Sequence, residues 1–365
     1  MPKKQTSAKK SLLAFNISIG RVSLTEKALF AKHMSLMLRS GLTVVEAVDV
    51  AIQSSSGKLK KVLYGVLKSI KSGNTLSESL GRYSQVFSGP FVASTHAGET
   101  SGTLDENMKH LADQLEKEKD LASKIKGAML YPIVVLIAAF VLGMAVSFLI
   151  LPKITPLFEG LKMDIPFTTR GLIWFSHFIQ DHGVVLFVSI IISVVFLIWF
   201  LRKKIVYPVT HWLFLHTPVV RSVSLNANLA RFCRTLGMLL KGGLNIDEAL
   251  LVTRQTMINY YYQKSLEKVS LSVDKGRTLS DNLLYFQDLY PVMVINMIKV
   301  GEQSGNLEET LLYLSDFYEA EVDTATKSLS TIIEPALLIF IGLLVGFLAL
   351  SIITPIYNIT SGINK

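Results

Sequence analysis

Phe30-Ala31-Lys32-His33-Met34-Ser35-Leu36-Met37-Leu38-Arg39-Ser40-Gly41-Leu42-Thr43-Val44-Val45-Glu46-Ala47 returns as Phe232-Cys233-Arg234-Thr235-Leu236-Gly237-Met238-Leu239-Leu240-Lys241-Gly242-Gly243-Leu244-Asn245-Ile246-Asp247-Glu248-Ala249. Further on, Gly98-Glu99-Thr100-Ser101-Gly102 matches Gly301-Glu302-Gln303-Ser304-Gly305, and Pro132 matches Pro335. The offset is 202 at Phe30 and 203 at Gly98, so one residue has been inserted between the two motifs. Each copy runs into a long apolar segment. The chain therefore reads as two homologous soluble domains, each followed by a membrane helix.

Composition agrees. Across 365 residues half are hydrophobic, and the mean hydropathy is +0.42. Ile133–Leu151, Val184–Leu201 and Ala336–Ile353 contain no Asp, Glu, Lys, Arg or His. Each has the roughly 17–25 residues that cross a hydrocarbon core. Aliphatic residues favour insertion, and a central charge costs roughly 2.5–3.5 kcal/mol, so these windows predict three spans.

Flanking charge orients them. Arg202, Lys203 and Lys204 close the second window, and Lys117, Lys119, Lys124 and Lys126 precede the first. Between the two, Lys153, Lys162 and Arg170 are balanced by Glu159, Asp164 and Asp181. The positive-inside rule then places both repeats in the cytoplasm and the segment 152–182 outside. The net charge of +9 follows this topology. With no basic stripe interleaved with stacking aromatics, it predicts no direct contact with nucleic acid.

The predicted organisation is a basic arm, 1–25; a first cytoplasmic bundle, 26–130; a span, 131–151; an extracytoplasmic segment, 152–182; and a second span, 183–201. A membrane-proximal linker, 202–221, a second bundle, 222–332, a third span, 333–353, and an extracytoplasmic tail, 354–365, complete it. The arm is too broken by Asn16 and Ser18 for a cleavable signal. It reads as a flexible basic arm or as a short helix lying on anionic lipid. Pro208 and Pro218 break the linker, and Trp212 and Phe214 suit a membrane surface.

Both repeats read as helix after helix, with amphipathic spacing at Leu236, Leu239 and Leu240 and at Leu307, Leu311 and Leu314. The joints share one chemistry: a glycine ends a helix, then a capping residue opens the next, with an acid three positions on. Gly41, Thr43 and Glu46 pair with Gly243, Asn245 and Glu248. Gly73, Thr75 and Glu78 pair with Gly276, Thr278 and Asp281. Gly102, Thr103 and Glu106 pair with Gly305, Asn306 and Glu309. Gly98 and Gly301 open the third pair of elbows. The fold class expected is all-α: a polytopic membrane protein with two homologous cytoplasmic helical bundles and three transmembrane helices. Long charged helices, Asp105–Lys126 and Glu308–Lys327, lead each bundle toward its span, with bends expected at Tyr131-Pro132 and Glu334-Pro335.

Catalytic chemistry finds no support. Gly98–Gly102 lacks the Lys-Ser/Thr ending of a phosphate loop and follows no strand. His177 and His182, and His211 and His216, are five apart, which is wrong for one helical face. Cys233 has no second cysteine; its counterpart is Ala31, so it reads as a small core residue. No catalytic, cofactor or metal residue is assigned. The spans carry no ionisable group, which weighs against transport. Gly342 and Gly346 form a small-residue packing pattern in the third span. The repeated charges Arg39, Lys241, Glu99 and Glu302 are candidate partner contacts; for the two glutamates a capping role is the default.

Phe232–Ala249 with its Gly243-Leu244 elbow, the doubled Gly-Glu-x-Ser-Gly, Tyr131-Pro132, Glu334-Pro335 and the ending Thr354-Pro355-Ile356-Tyr357 together resemble one family. It is that of the polytopic inner-membrane platform proteins of type IV pilus and type II secretion systems (PilC/GspF type), and the likeness runs from about Phe30 to Tyr357. The resemblance implies a non-enzymatic protein of the inner membrane. Its partners would be a hexameric secretion ATPase in assembly (retraction stays open), pilins or pseudopilins, other inner-membrane assembly proteins, the lipid bilayer and further copies of itself. A continuous helix entering a span is a rigid lever, so the bundles are expected to take up ATPase movement and the bent helices at Pro132 and Pro335 to pass it to the spans. A membrane-anchored adaptor is the alternative, with a small-solute transporter behind it.

Overall fold

The computed structural model describes residues 22–145, 148, 167–201, 203 and 205–362. Among these every regular element is helical and no strand occurs. The first repeat is built from α1 (Leu24–Arg39), α2 (Val44–Ser54), α3 (Gly57–Lys71), α4 (Leu76–Gly81), α5 (Gly89–Ser101) and the start of α6 (Leu104–Ala145). Two helices follow, α7 (Phe167–Leu201) and α8 (Tyr207–His216). The second repeat contains α9 (Pro218–Lys241), α10 (Ile246–Thr256), α11 (Tyr260–Val273), α12 (Leu279–Leu283), α13 (Val292–Ser304) and the start of α14 (Leu307–Gly362). The inserted residue lies in one loop. Helices α2 and α10 end in register at offset 202, whereas α3 and α11 begin at offset 203.

Local chemistry places the helix starts. Ser23, Thr43 and Thr75 each accept the amide of the glutamate three residues on, and each glutamate carboxylate accepts in return from the cap's own N–H. Hydrogen bonds from the Thr43 backbone and hydroxyl hold the Glu46 carboxyl below the usual range. The expected box is incomplete in the second repeat. Thr278 accepts from the Asp281 amide at 3.3 Å, but Asp281, one methylene shorter than Glu78, makes no return bond to the cap. Asn245 caps α10 without a side-chain bond; Asp247 and Glu248 in the first turn supply the complementary charge instead. The Thr103 hydroxyl bonds Ser101 at 2.7 Å and Asn107 at 3.0 Å rather than boxing with Glu106.

The two cores share a plan with different atoms. Phe30, Phe87 and Phe91 cluster in the first repeat, with ring centroids 4.8–6.1 Å apart. In the second, Phe232 and Tyr262 both meet Tyr290 edge-on at 5.3 Å. Buried phenols need partners. Tyr262 donates to the Leu289 carbonyl at 2.6 Å, and Tyr290 shares a bond with Ser265 at 3.0 Å. Cys233 is fully buried and burial pushes its thiol far up, which keeps it unreactive.

The chain divides into two compact units. One holds the residues up to Glu116 with Gly242–Leu244; the other holds Lys117–Lys241 and Asn245 onward. The first compact unit thus ends within α6, at Glu116. Within the second unit α9 packs along α14, α7 touches α14, and α8 packs on α9 and α11.

Several helices exceed their expected bounds. Ser23 caps α1, so the arm ends before residue 25. Residues 167–182, expected as part of an extracytoplasmic segment, are helical and continuous with the second apolar window. The linker contains α8 and the first turn of α9. The expected tail continues α14 to Gly362. Helices α6 and α14 run unbroken through Pro132 and Pro335. By length and composition α6 is able to cross a membrane, and its most apolar stretch is wholly unburied. Large apolar side chains are also exposed along α7 and the later part of α14, among them Val185, Phe196, Leu343 and Leu350.

Candidate functional site

Two constructions stand out: the first is made of residues that recur between the repeats, and the second recurs in part. The first is a pair of carboxylate-anchored elbows. Glu99 lies in the last turn of α5, and its two oxygens accept from the Leu76 and Ser77 amides at 2.6 and 3.0 Å. Glu302, on α13, does the same to Leu279 and Ser280 at 2.5 and 3.0 Å. Those amides open α4 and α12, where no intrahelical acceptor exists and a negative charge meets the positive end of the helix. Each glutamate therefore ties the fifth helix of its repeat to the start of the fourth. Both carboxylates point into the chain's own backbone.

The glycines fall into two kinds. Gly41, Gly73, Gly102, Gly243, Gly276 and Gly305 have positive φ. Of these, Gly102 (+74°) and Gly305 (+73°) are the left-handed caps that end α5 and α13, a conformation that costs a side chain least when there is none. Gly98 and Gly301 lie inside those helices instead. A Cβ on Gly98 would stand 2.8 Å from Leu104 Cα and 2.9 Å from Asn107 Cβ. On Gly301 it would meet Thr310 Oγ1 at 2.8 Å. The missing side chain lets α6 and α14 fold back closely on α5 and α13.

The second construction is an ion ladder in the second unit. Arg234 of α9 lies with Nη2 at 2.7 Å from both Asp316 and Glu319 of α14, and its Nε donates to Glu319 at 2.8 Å. Lys117 of α6 approaches the same acids at 3.4 and 3.6 Å. Seven residues on, Lys124 faces Asp323 at 3.9 Å, and Lys327 holds the other side of that carboxylate at 2.9 Å. Partial burial alone would raise the Asp316 carboxyl, but the Arg234 hydrogen bond and charge, helped by Lys117, bring it net below the usual range. The first repeat carries the homologous contact: Lys32 and Glu116, at the repeat positions of Arg234 and Glu319, are 3.2 Å apart. The ladder joins the two long helices that continue into apolar sequence.

The other residues singled out from sequence do not converge on either construction. Arg39 lies 3.7 Å from Asp105 with its side chain half exposed. Lys241 is exposed at the end of α9. Tyr131 is exposed on α6 beside Pro132, and Glu334 and Pro335 lie within α14. A Cβ at Gly342 or Gly346 would meet nothing among the described residues. No group of acids, histidines and cysteine able to hold a metal occurs among the described residues. Sequence reading missed the ladder, although Lys32/Arg234 and Glu116/Glu319 recur at the repeat offsets. It also missed His211 of α8, whose Nδ1 accepts from the Tyr260 amide at 3.0 Å.

A duplicated helical unit, each copy closed by a carboxylate anchor and extended by one long helix, defines a protein of two tandem all-α modules. Comparison with known proteins gives it a family. The model of the type II secretion system protein F family matches twice, over residues 30–152 and 232–355, and the chain belongs to that family. The type IV pilus assembly protein PilC of Myxococcus xanthus is 33% identical over 97% of this chain and 86% of its own. PilC of Thermus thermophilus is 33% identical over 92% of this chain and 83% of its own. The type II secretion system protein F of Aeromonas hydrophila is 30% identical over 94% of this chain and 88% of its own.

Proposed function

We propose that this protein is a non-enzymatic platform in the cytoplasmic membrane of a type IV pilus or type II secretion machine. It couples a cytoplasmic hexameric ATPase to the assembly of pilins or pseudopilins. Family membership supports the machine. One structural observation supports the coupling: α6 and α14 each pass without interruption from a bundle into apolar sequence. An unbroken helix transmits displacement along its axis, whereas a loop absorbs it. The ladder of Lys117 and Lys124 against Asp316, Glu319 and Asp323 is a set of contacts through which one helix would follow the other. Three spans with both repeats cytoplasmic is the topology that the charge distribution favours.

The test compares surface filaments or secreted substrate in a deletion strain and in that strain carrying the wild-type gene. It is combined with capture of interacting proteins by the full-length chain from membranes. Loss of filaments with pilin still in the membrane, together with recovery of an ATPase, is expected. Normal filaments and secretion in the deletion strain would defeat the proposal. Labelling of single introduced cysteines from either side of the membrane checks the topology.

A further inference from the structure

We infer that the apolar run Leu12-Leu13-Ala14-Phe15, in the sequence preceding α1, docks into a groove on the first repeat. The groove lies between α1 and the α2–α3 junction, has a volume of about 90 Å³, and is lined by Glu26, Leu29, His33, Ser54, Ser56 and Leu59 among others. Leu29 is exposed there beside buried Leu59.

The same face of the second repeat is closed. His33 and Ser56 are exposed, whereas their counterparts Thr235 and Asn259 are only 2% and 4% exposed. Ser56 and Asn259 are equivalent because each caps the third helix of its repeat. In the second repeat the segment just before the first bundle helix is α8, and it packs on α9 and α11. His211 of α8 accepts from the Tyr260 amide, and its Pro208 carbonyl accepts from the Tyr261 hydroxyl at 3.3 Å. Tyr260 and Tyr261 directly follow Asn259. Leu215 is the buried residue of α8.

Carried back by the repeat offset of 202, Leu215 falls on Leu13 and Phe214 on Leu12. Leu13 precedes Phe30 by the same interval as Leu215 precedes Phe232. The run is the longest apolar stretch in an otherwise polar, basic arm. The duplicated residues thus supply the face that α8 closes in the second repeat, and upstream of the first repeat an apolar run stands at the matching chain distance. Burying exposed Leu29 against it provides the driving force.

The experiment uses the full-length chain in its membrane. The pair L13C/S54C is oxidised or bridged by a short bis-maleimide. The control is L13C/S72C, with Ser72 exposed at the far end of α3. Cys233 is buried and does not compete. An intrachain link in the first pair and none in the control is expected. S54C alone should react with a maleimide several-fold faster once Leu12, Leu13 and Phe15 are replaced by serine. Equal linking to both positions, or unchanged labelling of S54C, would overturn the inference. Links formed only between chains would assign the groove to a second copy. Protection of the arm by anionic vesicles, with S54C still freely labelled, would assign the arm to the lipid surface.

Discussion

At the scale of single residues, the decisive groups are acceptors placed where backbone amides lack partners. Each oxygen of Glu99 and Glu302 takes one amide at a helix start, so Glu→Gln removes the charge and one of two acceptors. Charge-assisted bonds are worth roughly 1.5–3 kcal/mol. Glu302→Gln and Glu99→Gln should each lose about that much in denaturant unfolding of the purified protein. A loss within experimental error would make the anchors incidental. His211 is a titratable acceptor at the start of α11. Burial holds its imidazole below the ordinary 6.5, so the unfolded chain binds this proton more readily. Its contribution is complete above pH 6.5 and is lost as pH falls through the lower folded value. Protonation also removes the Nδ1 acceptor from the Tyr260 amide. The thermal midpoint should drop as pH falls below about 6.5. His211→Asn, which keeps an acceptor and does not titrate, should flatten that slope.

At the scale of elements, glycines and charges set how closely helices approach. Gly98→Ala drives a methyl against Leu104 Cα, which is backbone and cannot rotate away; overpacking of this kind costs typically 1–3 kcal/mol. Gly301→Ala meets the Thr310 hydroxyl at 2.8 Å and Thr310 Cβ at 3.0 Å, but its nearest backbone atom, Leu307 Cα, stands at 3.2 Å rather than 2.8 Å, so it should cost less. Paired melting curves of the two variants check the order. In the ladder, Arg234 is largely enclosed and multiply bonded, whereas Lys124 and Asp323 are solvated at 3.9 Å. Arg234→Met should cost about 1.5–3 kcal/mol and Lys124→Met no more than about 1 kcal/mol. Arg234→Lys should fail to restore stability, since an ammonium cannot reproduce the planar fork. The helices themselves were legible from the elbows. Their exact joints were not: Thr278 with Asp281 and Asn245 with Glu248 have the capping pattern, yet reach and local geometry leave the boxes incomplete.

At the scale of the whole molecule, the proposal makes the seam between α6 and α14 a functional part. Reversing Lys117 and Lys124 to glutamate sets like charges against Asp316, Glu319 and Asp323. Filament or secretion output should fall several-fold while the amount of protein in the membrane stays near wild type. Exchanging Lys124 and Asp323 should restore part of it. Wild-type output from the double reversal, at normal protein levels, would show that the two helices need not move together.

The amino-acid sequence by itself determined the duplication, the all-helical class, the elbows and the apolar windows. Each of these rests on interactions between neighbours a few residues apart, or on hydropathy, and both can be read along a line. Family membership was legible for the same reason, because the repeated motifs stand in order. Only the tertiary structure decided where Glu99 and Glu302 point, 22 or 23 residues back along the chain. It alone separated Gly98 and Gly301, which permit close approach, from the turn glycines. It also brought Lys117 to Asp316 across 199 residues. Contacts between residues so far apart depend on how buried faces dock, and docking is set by shape and desolvation summed over whole helices.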